Sequence, residues 1–525
     1  SVALSAGCAA WRAVIPWYRA PRLPEDLMVC GDTLGAGYRF VAASLGERGS
    51  SGGSTRGGIY WMATAAGAAG AVAVPLLGRT APAAAGPKER PNILWLVAED
   101  TCLELGCYGH PLVRTPNLDA LAGQGARYTH AFSTAPVCSA TRSAFHTGMY
   151  QTTIDAHQHR SHRDDGYRLP DGVRLVSERL RDAGYYVTNG SYLGGDALRP
   201  GKTDFNFDVD APFDGADWRE CPPDRPFFAQ VCFLESHRGR PWQEVQERPR
   251  TIDPADVTLP AYYPDHPAFR EDVATYLEVM GLLDEKVGAV LGWLEERGLA
   301  ENTLVFSFSD HGRCLLRGKQ WMYDGGIHVP LIVRWPGHVE AGAARDDLVS
   351  LIDVAAATLD AAGVPLPGNM AGVPFLSPDA PKRACVFAAR DRCDETRDRI
   401  RCVRTERWKY IRNFMPERPY TQQNRYIESS YPPLAVWKEL HAAGKLTPEQ
   451  ALFMAERKPD EELYDVQEDP DEVRNLAGDP AHAGTLAAMR QRLDAWLEET
   501  DDHGRHPEAV TAIHDEYGLP VDTYK

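Results

Sequence analysis

Three apolar runs in this chain end abruptly in acidic or histidine residues. Ile93, Leu94, Trp95, Leu96, Val97 and Ala98 lead into Glu99-Asp100; residues 227–234 lead into Glu235-Ser236-His237, and residues 304–308 into Ser309-Asp310-His311. Short runs of this kind fit strands buried on both faces, as in a parallel sheet covered by helices. A fourth run occupies residues 329–333. Between the second and third, Val273, Leu277, Met280, Leu283, Val287, Val290, Leu291 and Leu294 recur at helical spacing, and Gly298 stops the pattern. Strands alternating with such helices predict an α/β fold, a large mostly parallel sheet flanked by helices. Ligands of open sheets bind beyond the carboxyl ends of strands, where these acids and histidines stand.

Around residue 364 the texture changes to Val364-Pro365-Leu366-Pro367-Gly368, and two further strand patterns follow at residues 385–389 and 408–412. A polar helical pattern covers residues 481–500. The expected organisation is an N-terminal extension (1–90), a main α/β domain (91–364) and a smaller α+β subdomain with a small sheet and terminal helix (365–525).

The first ninety residues carry nine Lys/Arg against five Asp/Glu, whereas the remainder carries 47 against 68. Within them, residues 57–78 are uncharged and rich in Ala and Gly, and Ala83-Ala84-Ala85 follows. An apolar stretch before an A-x-A site predicts an export signal within residues 54–85 and a periplasmic or secreted protein. Ser54-Thr55-Arg56 is similar to a twin-arginine signal, but Gly57 replaces the second Arg. Met62 is a candidate start.

A net charge of −17 argues against a chain that coats nucleic acid, since phosphate binding needs a basic face. It leaves room for an anionic substrate, because a site can be positive on an acidic protein. The 11 Cys include no CxxC pair, so neither a disulfide framework nor a zinc ribbon is expected. Ten of them read as inert thiols.

The remaining one stands in Cys138-Ser139-Ala140-Thr141-Arg142, with Thr147-Gly148 following. This stretch resembles the signature of the sulfatase family, within the alkaline-phosphatase-like superfamily. The resemblance continues from Glu99-Asp100 through Asp310-His311-Gly312 to Glu462-Leu463-Tyr464-Asp465. The loop His157-Gln158-His159 after Met149-Tyr150 is most like the heparan N-sulfatase (sulfoglucosamine sulfohydrolase)-like branch. The resemblance implies that Cys138 is oxidised to formylglycine (3-oxoalanine) by a formylglycine-generating enzyme. It implies a divalent metal, Ca²⁺ with Mg²⁺ as the other candidate, on Glu99, Asp100, Asp310 and His311; hard oxygen donors suit both ions. It assigns Arg142, Lys202, Lys319 and His237 to catalysis, with the lysines on the sulfate and His237 protonating the leaving group. The implied activity is hydrolysis of a sulfate ester or sulfamate, on a sulfated sugar such as a glycosaminoglycan unit.

Two departures stand out. The family usually has Asp where Glu99 stands, and it commonly reads Lys-x-His where this chain has Lys202-Thr203-Asp204. His146 or a residue of the His157 loop is the candidate substitute for that histidine. His157, His159 and His162 could suggest a second metal site, but Arg160 and Arg163 would repel a cation; a loop touching substrate, with His146, His157 and His159 as contacts, is the preferred reading. Arg397, Arg399, Arg401, Arg404, Arg407, Lys409 and Arg412 oppose only Asp398 and Glu406 across residues 397–412. They could line a rim that steers a polyanionic glycan, Arg401 included, or merely guard an edge strand. Two alternatives remain open: a phosphodiesterase or phosphonate monoester hydrolase of the same superfamily, and a non-catalytic sulfated-glycan binder.

Overall fold

The computed structural model describes residues 90–162 and 165–506. The expected export signal, and all of the 1–90 extension but its last residue, lie outside the described residues. Eight strands form the large sheet: β1 (Asn92–Ala98), β2 (Ala126–Phe132), β3 (Tyr186–Ser191), β4 (Arg199–Pro200), β5 (Phe227–Phe233), β6 (Thr303–Ser309), β7 (His328–Arg334) and β8 (Ala343–Ser350). Their order is β4-β3-β5-β1-β6-β7-β2-β8. The block β3-β5-β1-β6 is parallel throughout, and β7 runs antiparallel to both of its neighbours. Four strands, β9 (Val386–Arg390), β10 (Ile400–Arg404), β11 (Trp408–Asn413) and β12 (Glu461–Asp465), make a separate antiparallel sheet. Both sheets belong to one compact unit.

The four apolar runs are thus β1, β5, β6 and β7. On β1 alternate residues serve opposite faces, as the two-residue period of a strand requires. Leu94, Leu96 and Ala98 join the core under the long helix Pro267–Glu296. Ile93, Trp95 and Val97 join Phe145 and Val354 on the other side. The long helix buries Val273, Leu277, Met280, Leu283, Val287, Val290 and Leu294, and Gly298 follows it at φ 65°. Among the described residues no helix is long and apolar enough to cross a membrane.

This packing fixes where the chemistry sits. β5, β1 and β6 are adjacent and parallel, so their carboxyl ends lie side by side and present residues 235–237, 99–100 and 310–311 along one edge.

Candidate active site

The helix Cys138–Thr147 starts with Cys138 itself, after Val137 in extended conformation. The thiol therefore sits where unpaired backbone N–H groups and the helix dipole favour negative charge. All ten residues of this helix are buried, so its polar side chains must find partners inside. Ser139 Oγ accepts from the Arg160 N–H (2.8 Å) and Ser143 Oγ from the Asn206 N–H (3.0 Å). These bonds hold the His157 loop and the segment after Lys202 against the helix. Thr147 Oγ1 donates to the Ser143 carbonyl, and Gly148 ends the helix at φ 70°, where a Cβ would collide with Met370. The Thr147-Gly148 pair is thus a helix stop.

Cys138 Sγ lies 3.2 Å from His311 Nε2 and 3.6 Å from Lys319 Nζ. Its sulfur, an Asp100 oxygen and a His311 nitrogen lie within 4.8 Å of one another, and so do its sulfur, a Glu99 oxygen and a His237 nitrogen. Asp100 adopts φ 51°, a left-handed conformation that Asp tolerates better than most residues. Its N–H donates to Asp310 Oδ1 (3.1 Å), as does the His311 N–H (2.9 Å). One carboxylate thereby holds both strand ends in register.

Opposite charges then interlock. Arg142 donates to Glu99 Oε1 (3.0 Å) and Asp310 Oδ2 (3.2 Å), and Lys202 Nζ stands 2.8 Å from Glu99 Oε1. Lys319 Nζ is 3.0 Å from Asp100 Oδ2, and His311 Nε2 is 2.9 Å from Asp100 Oδ1. Burial opposes charge on Glu99, Asp100 and His311, and the neighbours overturn it. Glu99 is held down to about 2, because Lys202 and Arg142 outweigh its desolvation. Asp100 is held well below the usual carboxylate range against burial by Lys319 and His311. Against its own burial, His311 is raised well above the usual imidazole value by Asp310 and Asp100. His237 is pushed down to about 4 by burial and by Lys319.

Glu99, Asp100, Asp310 and His311 are all buried at the ends of neighbouring strands. Three carboxylates and one imidazole converging there fit a hard divalent cation. The fit extends to the departure at Glu99, whose longer side chain still reaches the Arg142 and Lys202 side of the cluster.

Lys202 is placed by backbone contact. The Gly201 N–H donates to the Asn189 carbonyl, and a Cβ at Gly201 would meet Asn189 Oδ1 and the Gly190 carbonyl at 2.5 Å. Only glycine allows that approach.

Several expected contacts lie elsewhere. His146 follows Cys138 and Arg142 along the same helix face but lies deeper: its Nε2 donates to Gln230 Oε1 (2.8 Å), and its ring packs on Trp95, Phe145 and Phe205. It is fully buried and supports the Gln230–Asn189 chain beneath Lys202. His157 and His159 are buried too. His159 Nδ1 pairs with Asp394 Oδ1 at 2.9 Å, close to Arg160 and Asp204, whereas His157 lies toward Asp391 and Arg401. Arg401 is fully buried against Asp391 (3.0 Å) and Asp502 (2.8 Å). Arg404 is buried against Asp324 (3.1 Å). The expected basic rim is therefore internal at both positions, because carboxylates distant in sequence neutralise it. Glu235, the third strand-end acid, pairs with Lys286 of the long helix.

Sequence reasoning missed Tyr426, whose ring lies 5.5 Å from Lys319 Nζ. It also missed Gln230 and Asn189, a polar pair inside two strands that had no local signal of a role.

The sulfatase family pattern matches residues 91–364, and the pattern described as N-sulphoglucosamine sulphohydrolase, C-terminal, matches residues 312–421. An ulvan-active sulfatase of Formosa agariphila is 35% identical over 471 residues, covering 80% of this chain and 77% of that protein. The N-sulphoglucosamine sulphohydrolase of Homo sapiens is 28% identical over 471 residues, covering 78% and 90%. A solved 2-O GAG sulfatase shares the fold with a TM-score of 0.59 at 20% identity, over 80% of this chain and 94% of its own. The chain belongs to the sulfatase family of sulfuric ester hydrolases, and its residues 312–421 are similar to the C-terminal part of N-sulphoglucosamine sulphohydrolase.

Proposed function

We propose that this enzyme hydrolyses a sulfate ester or sulfamate on a sulfated sugar, using formylglycine made from Cys138 and a divalent cation, Ca²⁺ or Mg²⁺. One observation carries the reading: the Cys138 sulfur heads a buried helix within 4.8 Å of donor atoms from both halves of the carboxylate–imidazole cluster. The names of the relatives, which act on ulvan or on N-sulphoglucosamine, support a sugar over a small aryl ester. They also favour sulfate over the phosphonate or phosphodiester alternative. A formylglycine-generating enzyme is the partner required in maturation, and export remains part of the proposal.

Overall, a sulfur–oxygen or sulfur–nitrogen bond breaks, water supplies the new oxygen of sulfate, and a proton reaches the departing atom. The aldehyde at position 138 supplies, once hydrated, an oxygen nucleophile in place of a thiol. Glu99, Asp100, Asp310 and His311 would hold the cation, which would supply neutralisation of the sulfate's negative charge. The remaining work falls to the side chains. Arg142 is locked by Glu99 and Asp310 and points its guanidinium at the helix head, where negative charge develops. Lys202 and Lys319 enter from two sides and bind the anion. His237 Nδ1 donates to the Arg238 carbonyl (2.9 Å), which leaves Nε2 to hold and deliver the proton. Burial and the Lys319 charge keep this imidazole neutral, and an anion beside Lys319 offsets the second of these and so favours the protonated form.

The test is release of inorganic sulfate from N-sulfoglucosamine, O-sulfated sugars and an aryl sulfate, with a phosphodiester as control. Sugar turnover lost on chelation and restored by Ca²⁺ or Mg²⁺ is expected. Turnover of the phosphodiester alone would overturn the reading.

A further inference from the structure

Tyr426 brings an uncommitted hydrogen-bond donor to the edge of this site. The residue is 7% exposed, and its hydroxyl has no partner among the described residues. Its ring lies 5.5 Å from Lys319 Nζ and 6.3 Å from the His237 ring. A buried hydroxyl without a partner forfeits its hydration with nothing in return, so a position that keeps one invites a ligand.

The surroundings fix which kind. Lys319 and Arg238 are cations and offer no lone pair to a phenol. The nearby carboxylate, Asp100, already carries Lys319 and His311. Burial pushes the Tyr426 phenol well above its usual value, so it stays a neutral O–H donor at working pH. Its natural partner is an anionic oxygen arriving from outside.

The placement is also built. Tyr426 sits on the short helix Arg425–Ser430, capped by Asn424, whose Oδ1 accepts from the Ile427 N–H (2.9 Å). Asn424 Nδ2 reaches Gln320 Oε1 (3.3 Å) and Asp394 Oδ2 (3.4 Å), so the cap is tied to the residue next to Lys319. At the other end the Ser430 carbonyl accepts from Arg238 (2.9 Å), the residue next to His237. One helix is thus pinned to both functional segments. Tyr431 also has an unpartnered hydroxyl, but the residue is fully buried and its ring is covered by Arg238 at 3.9 Å.

We infer that Tyr426 contacts the substrate, donating its hydroxyl to a non-bridging oxygen of the sulfate held by Lys319. The inference rests on the proposed function and adds a residue from the C-terminal part to the sulfate pocket.

The test is Tyr426→Phe, which keeps the ring beside Lys319 and removes only the donor; its melting temperature checks the fold. Inorganic sulfate is titrated calorimetrically into the wild type and the variant, both co-expressed with a formylglycine-generating enzyme. A hydrogen bond to a charged partner predicts a Kd for sulfate raised about tenfold to a hundredfold. The kcat/KM for an aryl sulfate and for a sulfated sugar should fall by a similar factor. Unchanged sulfate affinity overturns the inference, including the case where only the sugar substrate suffers, which would place the hydroxyl on the sugar. If the wild type neither binds sulfate nor releases it from any substrate, the proposed function itself fails and the inference falls with it.

Discussion

Two regions of this molecule are dense in charge, and they use it in opposite ways. In the second sheet each cation has a fixed partner: Arg401 lies on Asp391 and Asp502, Arg404 on Asp324, Arg407 on Asp465, Lys409 on Asp324 and Glu472, and Arg412 on Asp494. At the carboxyl edge of the large sheet, Arg142, Lys202, Lys319 and His311 instead share Glu99, Asp100 and Asp310 around the Cys138 sulfur. The first arrangement saturates its charges and closes a fold. The second converges charges of both signs on a reactive atom, which suits a site that takes in an anion and a cation together. Counting arginines along the chain cannot separate the two cases, because the deciding carboxylates lie up to about a hundred residues away (Arg401 and Asp502 are 101 apart).

Breaking each region should therefore have a different signature. Asp310→Asn removes an anionic donor while keeping an oxygen that can accept from the Asp100 and His311 N–H groups. A loss of several kcal/mol of transition-state stabilisation predicts that kcat/KM falls about a hundredfold to a thousandfold. Metal affinity, measured by chelator competition, should fall with it. Normal activity in this variant would separate Asp310 from the reaction.

Arg401→Ala should do the reverse. It leaves Asp391 buried without its cation and Asp502 held by Arg399, which costs about 3–5 kcal/mol of folding stability. Denaturant midpoints should show that loss, while the folded enzyme keeps its kcat/KM on a sulfated oligosaccharide and on an aryl sulfate at every ionic strength. A salt-sensitive loss on the oligosaccharide alone would restore the steering rim.

Acid should weaken both regions, by a smaller amount at mild pH. Burial and the Arg142 charge push His146 down to about 3. Burial, helped by Arg404 and resisted by Asp324, pushes His328 down to about 4. In the unfolded chain both regain a value near 6.5. Between about pH 6.5 and about pH 4 the unfolded state thus binds more protons, so stability falls as pH falls through that window. Urea midpoints at pH 7.5, 6 and 5 should decline in that order; a flat profile would contradict the buried neutral imidazoles.

Much of the fold was legible because β1, β5 and β6 are buried on both faces and read as unbroken or nearly unbroken apolar runs. β2 and β8 lie toward the far edge, with Arg127, Arg345, Asp346 and Asp347 among their residues, and gave no such signal. At the site, the motif around Cys138 and the strand-end acids were readable locally. His146 could not be placed from the sequence because the helix Cys138–Thr147 has no solvent face, so periodicity could not sort its polar residues. Tyr426 escaped notice because its meaning comes from Asn424 touching Gln320, a contact across 104 residues.

The central claim is that Cys138 is the precursor of the nucleophile. Its direct test is sulfate release by the wild type and by Cys138→Ala, both co-expressed with a formylglycine-generating enzyme, with mass spectrometry of the peptide bearing residue 138. The account predicts an aldehyde at 138 in the wild type, and in the variant a folded protein with no measurable turnover. A wild type that turns over with an unconverted thiol, or a Cys138→Ala variant that keeps more than about a tenth of its activity, would contradict it.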